Sequence, residues 1–207
     1  MPPDLVLFGS MCSGKTSVAQ ILKHDAGFDV VSAKELIERH AQDDVAALRA
    51  RGALLPDERV IAWVAAALDG ALATGRPVLL DGFPRTEGQA RWLVRTHPGV
   101  RRVVHLDFDL AVIRRRLEHR VLCASCPMPY SALFSDFDRR CAFCGSREFR
   151  PRPTDRPDYF DVKTSQFRAV SLQVLPVLRA ARLAFATVGD HATFAGLRSD
   201  VGRLHAD

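Results

Sequence analysis

GSMCSGKT, residues 9–16, follows the aliphatic run LVLFG (5–9) and precedes a helical period carrying Val18, Ile21 and Leu22. It matches G-x-x-x-x-G-K-[S/T], with strand before and helix after, the context in which that pattern cradles phosphate. Backbone N–H groups of such a loop, together with the N-terminus of the next helix, surround an anion. Lys15 is placed to reach the β- and γ-phosphates of a nucleotide, and the Thr16 hydroxyl to ligate Mg²⁺. Gly9, Ser13, Gly14 and Ser17 complete the cradle. Cys12 sits inside the loop, where a small side chain is tolerated.

Outward from the loop the same alternation repeats. FDVV (28–31), PVLL (77–80), RVVHLDF (102–108) and AFATV (184–188) read as further buried strands. Between them, Ser32 to Glu35 is a capping box that opens a helix with Leu36 and Ile37. Asp57 starts another helix, with Val60, Ile61, Val64, Ala67, Leu68 and Leu72 on one face and Gly75 at its end. Helices are also expected over 110–119 and over 161–182, the latter bent or interrupted at Pro176. The pattern predicts one α/β domain over 1–207, a five-stranded parallel sheet wrapped by helices. Two stretches break the alternation and read as insertions: 32–60, which is helical, and 121–157, which is rich in Cys, Pro, Asp and Arg.

A second phosphate-facing element follows the third strand. VLLDGFPRT (78–86) puts Asp81 at a strand end, where a carboxylate can hold Mg²⁺ through water. Arg85 follows in a Gly-Phe-Pro turn, where its planar fork can meet a phosphate. The chain carries a net charge of +5, which suits an anionic partner without saying which. The opening MPPDLVLFGS has no basic segment before an apolar run, and no apolar run is long enough to span a membrane. A cytoplasmic location with reduced thiols is expected, so paired cysteines mean metal. Two such pairs occur, Cys123/Cys126 and Cys141/Cys144. A short insertion has too little core to fold alone, and four thiolates on Zn²⁺ would brace it. A nucleic-acid knuckle is the other use of such a block, but the basic residues near it are unspecific evidence and nucleic acid is not the expected partner. The seven histidines show no ligand spacing.

With DGFPRT, the sequence resembles the adenylate kinase family of nucleoside monophosphate kinases. RGALLPDERV (51–60) and LDFD (106–109) with RRRLEHR after it are similar to family segments, and the Cys₄ block falls where some members carry a zinc-bound lid. Tyr130, four residues past Cys126, also matches. The resemblance implies ATP and Mg²⁺ as cofactors, structural zinc, AMP as the expected acceptor, and a monomer acting on small nucleotides. It implies that Lys15, Arg85, Arg116, Arg120, Arg152 and Lys163 contact phosphates, Arg116 and Arg120 from the lid side. Ser32, Leu36, Leu55, Gly82, Arg85 and Gln89 would form the acceptor site within and beside an acceptor-binding insertion at 32–60. No general base is evident, and a phosphate acceptor, largely a dianion at neutral pH, needs none.

The sequence departs from that family on the acceptor side. Ser32-Ala33-Lys34-Glu35-Leu36-Ile37-Glu38 stands where the family has Thr-Gly-Asp and, further on, an arginine, and Glu38 takes the arginine's place. Lys34 or Arg39 can serve instead, or the acceptor is another monophosphate or small phosphorylated molecule. Lys163 likewise replaces an arginine, exchanging a fork for a point charge. A nucleotide- and nucleic-acid-binding zinc module without kinase activity is the alternative from another class.

Overall fold

The computed structural model describes residues 4–40, 55–126, 128–152, 155 and 157–205. In chain order these form β1 (Asp4–Gly9), α1 (Lys15–Ala26), β2 (Asp29–Ser32), α2 (Ala33–Arg39), α3 (Asp57–Leu72), β3 (Val78–Asp81), α4 (Glu87–Thr96) and β4 (Val100–Leu106). There follow α5 (Leu110–Glu118), β5 (Arg120–Cys123), β6 (Pro129–Ser131), β7 (Phe149–Pro151), α6 (Pro157–Ala180), β8 (Ala184–Ala186) and α7 (Phe194–Gly202). Residues 41–54, within the expected acceptor insertion, lie outside the described residues, as does the start of RGALLPDERV.

Five strands form one parallel sheet in the order β2-β3-β1-β4-β8. Parallel strands are covered on both faces, so they read as unbroken apolar runs. Side chains alternate along β1, and this divides the core in two. Leu5 and Leu7 join Val18, Ile21 and Leu22 of α1 and Val201 of α7. Val6 and Phe8 join Val60, Val64 and Leu68 of α3, Leu93 of α4, and Val174 and Leu178 of α6. The register sets Asp81 beside both Leu7 and Ser32, so the carboxyl ends of β1, β2 and β3 meet at one edge of the sheet. In open parallel sheets that edge is where ligands bind.

The expected strands and helices are present, with three differences. First, α6 begins earlier than expected and runs through Pro176 without interruption. Pro157 opens it at a position where a missing N–H costs nothing. The carbonyl that Pro176 cannot bond belongs to Leu172, whose side chain is exposed, so water can take that bond. Second, α4 and α7 are helices that the sequence reading does not place. Each is started by a threonine cap, Thr86 accepting from Gln89 N and Thr193 from Gly196 N.

Third, the cysteine-rich region has order of its own, a three-stranded antiparallel sheet, β6-β5-β7. It is seated on the main body: Cys123, Met128, Tyr130 and Cys141 share the apolar cluster of Leu5, Leu7 and Ile21. Ser17 donates through Oγ to the Pro129 carbonyl at 3.4 Å, and Ser135 donates through its backbone N–H to the Ala192 carbonyl at 2.9 Å. Among the described residues no helix is long and apolar enough to cross a membrane.

Candidate active site

Between β1 and α1 the chain turns through Cys12 (φ 56°) and Gly14 (φ 101°), both left-handed. Gly9 permits a close approach, since a Cβ there would sit 2.6 Å from Ser13 Oγ and 2.9 Å from the Leu106 carbonyl oxygen. Ser13 Oγ donates to the Ser10 carbonyl at 2.9 Å and holds the loop closed. No side chain caps α1, which leaves its first turn available to an anion. Thr16 stands exposed in that turn.

Lys15 folds over the loop, its Nζ donating to the carbonyls of Gly9 (2.7 Å) and Ser10. Burial pushes its ammonium down to about 8, although Asp81 pulls the other way. Asp81 is affected in reverse: burial raises its carboxyl, and the cations Lys15 and Arg85 draw it back. Lys15 and Asp81 are therefore desolvated together at the carboxyl ends of β1 and β3, within reach of the charge of the exposed Arg85. The Asp81 carboxylate and the exposed Thr16 hydroxyl are hard oxygen donors of the kind that suits Mg²⁺.

Gly82 turns the chain out of β3 with φ 75°, and a cis peptide joins Phe83 to Pro84. Arg85 folds back over this turn, its Nε donating to the Gly82 carbonyl at 2.8 Å. Gln89 is buried, and both ends of its amide are engaged. Its Oε1 accepts from Arg85 N at 2.8 Å, and its Nε2 donates to Asp57 Oδ1 at 2.9 Å. Thr86 Oγ1 donates to the other oxygen of Asp57 at 2.7 Å. Asp57, read from the sequence only as a helix start, thus ties α3 to the turn that carries Arg85. Ser32 is the buried cap of α2, accepting from Glu35 N, while Leu36 and Leu55 pack into the core beside Phe83.

On the far side, Arg116 Nη1 donates to the Ser13 carbonyl at 2.9 Å, and its guanidinium stacks 3.9 Å from the centre of the Phe108 ring. Its other nitrogen meets Asp190 at 2.6 Å. Arg120 pairs bidentately with Asp155, its Nε at 2.7 Å from Oδ2. Charges of Arg120, Lys15 and Arg152 all reach Cys12, whose thiol burial pushes up. Lys15, Asp81, Arg85, Arg116, Arg120 and Arg152 are therefore gathered around the loop. Lys163, on α6, makes its described contact with Gln166 at 3.1 Å. Sequence reasoning gave no site role to Asp57, Asp155 or Asp190, because each acts through a residue 32 or more positions along the chain.

The sulfur atoms of Cys123, Cys126, Cys141 and Cys144 all lie within 4.8 Å of one another. Cys123 and Cys144 are 3.5 Å apart and Cys126 and Cys141 3.4 Å. A disulfide needs about 2.0 Å, whereas tetrahedral thiolates on Zn²⁺ at about 2.3 Å stand about 3.8 Å apart. The donor set fits a structural zinc ion. Burial alone would raise the Cys141 thiol, but the Tyr130 hydroxyl and the N–H groups of Cys144 and Phe143 outweigh it and hold it down to about 6. Cys126, desolvated and beside other sulfurs, is pushed up to about 12.

A P-loop at the carboxyl edge of a parallel sheet, with cations gathered around it, defines a nucleotide-binding α/β protein. The chain matches the AAA domain family over residues 5–127. It is also 32% identical to an adenylate kinase of Dehalococcoides mccartyi, over 75% of this chain and 76% of that one. Adenylate kinases of Zymomonas mobilis and Rhizorhabdus wittichii are each 28% identical over 86% of this chain, covering 84% and 87% of their own lengths. The chain belongs to the adenylate kinase family and is a nucleoside monophosphate kinase.

Proposed function

We propose that the chain transfers the γ-phosphoryl group of ATP to AMP, forming two ADP, with the acceptor insertion at 32–60 and a zinc-braced lid at 121–157. The observation that carries this reading is the meeting of Lys15, folded over Gly9, with Asp81 at the end of β3 and with Arg85 on the Gly82 turn that follows it. Phosphoryl transfer to an anionic acceptor is mainly positioning and neutralisation of the equatorial oxygens. Lys15 holds the β- and γ-phosphates within the cradle of Gly9, Ser13, Gly14 and Ser17. Arg116, stacked on Phe108 and bonded to the loop through the Ser13 carbonyl, meets the phosphates of ATP from the lid side. Arg85 draws the acceptor phosphate towards the γ-phosphate, while Arg120, Arg152 and Lys163 complete the cationic ring. Thr16 and Asp81 would hold Mg²⁺, which neutralises the triphosphate when bound. The four thiolates would hold zinc as a brace, in keeping with a reducing, cytoplasmic location and a monomer.

Gln89 is the acceptor-base reader in this scheme, with its amide held in place by Asp57. A second reading, another monophosphate or small phosphorylated acceptor, is favoured by Glu38, a carboxylate where the family has an arginine. Nucleoside diphosphate formation from ATP and Mg²⁺, with AMP, CMP, UMP, GMP and dTMP offered separately, tests both. Fast turnover on AMP supports the first. Turnover on another acceptor supports the second, and ATP binding with no product on any of the five overturns the first and leaves a small phosphorylated acceptor outside the panel or a binding module without kinase activity.

A further inference from the structure

The loss of the family arginine at Glu38 leaves two basic residues on α2 that could receive the acceptor phosphate, Lys34 and Arg39. We infer that Lys34 is the cation for the acceptor phosphate and that Glu38 is its tether, an inference that rests on the function proposed above.

The argument begins with register. Ser32 pairs with Asp81 across β2 and β3, so α2 leaves the sheet at the edge where the reacting groups gather. Its first residue, Ala33, has its Cβ 3.9 Å from the point where a side chain on Gly82 would begin, and Arg85 Nη2 lies 3.1 Å from that same point. Ala33, Gly82 and Arg85 thus converge, and Lys34 is the next residue on. Its charge is felt at Asp81, together with those of Lys15 and Arg85. Glu35, from the same turn, is felt there too, and a second carboxylate raises the need for a cation beside it.

Arg39 is placed otherwise. It lies five residues further along α2, about 7.5 Å up the axis and about 140° round it. It occupies the last turn, where a cation complements the helix dipole. The next residue, His40, stacks on Trp63 at 5.2 Å between ring centres and 7° between planes, which packs this end of α2 against α3.

Lys34 Nζ stands 3.7 Å from Glu38 Oε1, with both side chains about half exposed. An exposed i,i+4 pair is weak, so a phosphate dianion can displace Glu38 from Lys34. A lysine meets that phosphate as a point charge and without the fixed orientation of an arginine fork. Lys34 therefore governs how tightly the acceptor binds more than how fast it reacts.

The test is steady-state kinetics of wild type, Lys34→Ala, Lys34→Arg and Arg39→Ala, with the best acceptor of the five-monophosphate panel. Lys34→Ala is expected to raise the acceptor KM at least tenfold while the ATP KM stays within twofold. Lys34→Arg should restore most of the loss, and Arg39→Ala should leave both constants within twofold. An unchanged acceptor KM in Lys34→Ala, or an equal rise in Arg39→Ala, would overturn the assignment while leaving the kinase reading intact. Absence of product from wild type on all five acceptors would overturn the assignment together with the AMP reading.

Discussion

The carboxylate of Asp136, in the cysteine-bearing segment, accepts the backbone N–H of Phe194 at 2.7 Å, and its second oxygen accepts that of Ala195 at 2.9 Å. A side chain 58 residues earlier in the chain thus satisfies two N–H groups at the start of α7, and its charge suits that end of the helix. Around it the rings of Tyr130, Phe134 and Phe143 close on Phe194, Tyr130 at 5.0 Å between centres. The cysteine-bearing segment is therefore clasped to the last helix of the main body as well as to α1.

Asp136→Ala should cost about 1 kcal/mol, the usual loss for a helix cap, without lowering zinc content. Urea unfolding of the metal-loaded variant checks this. Stability equal to that of wild type would mean that the clasp is not made in solution.

Because Cys123 and Cys141 share one apolar cluster with Leu5 and Ile21, metal loss should be felt by the whole chain. Cys141→Ser, or chelation of the wild type, is expected to lower zinc content and to shift a single melting transition downwards. A separate low-temperature transition, with the main one unmoved, would mean that the small sheet unfolds alone.

Lys15 must be charged to hold a phosphate, and its ammonium is already down to about 8 in place of the ordinary 10.5. The value of kcat/KM for ATP should therefore fall as pH rises through about 8, by up to about tenfold per unit beyond it. Stability should respond in the opposite sense. Between about 8 and 10.5 the unfolded chain holds a proton that the folded one has lost, so the Lys15 contribution to stability rises with pH. A profile for ATP that stays flat to pH 9.5 would show that Lys15 titrates higher.

Asp57→Ala removes the acceptor for Gln89 Nε2, and Gln89 is only 3% exposed. Leaving that donor unsatisfied should cost about 1–3 kcal/mol, and freeing the Gln89 amide should raise the acceptor KM. Gly88→Ala tests the same contact from the other side, since its Cβ would come within 2.6 Å of Asp57 Oδ2. Its effect should be smaller, because a carboxylate can swing aside. Unaltered stability and acceptor KM in both variants would mean that Gln89 does not depend on Asp57.

Much of this protein is local and so could be read from one dimension. A phosphate loop is contiguous because neighbouring N–H groups form the cradle. Buried parallel strands show as apolar runs because both faces are covered. A Cys₄ site shows because two Cys-x-x-Cys pairs are short enough to share one metal. The helices α4 and α7 did not show in apolar runs; what marks them locally is a threonine cap, Thr86 and Thr193, at the start of each.

What only the tertiary structure decided is pairing across distance. The sequence names Arg120, Arg116 and Gln89 but not their partners Asp155, Asp190 and Asp57, which lie 35, 74 and 32 residues away. It offers Lys34 and Arg39 as equals, while register sets Ser32, at the start of α2, beside Asp81, with Lys34 in the first turn of that helix and Arg39 in the last. Local chemistry is written in neighbouring residues. Which charge faces which is set by how parallel strands align, a relation that no short stretch of the chain contains.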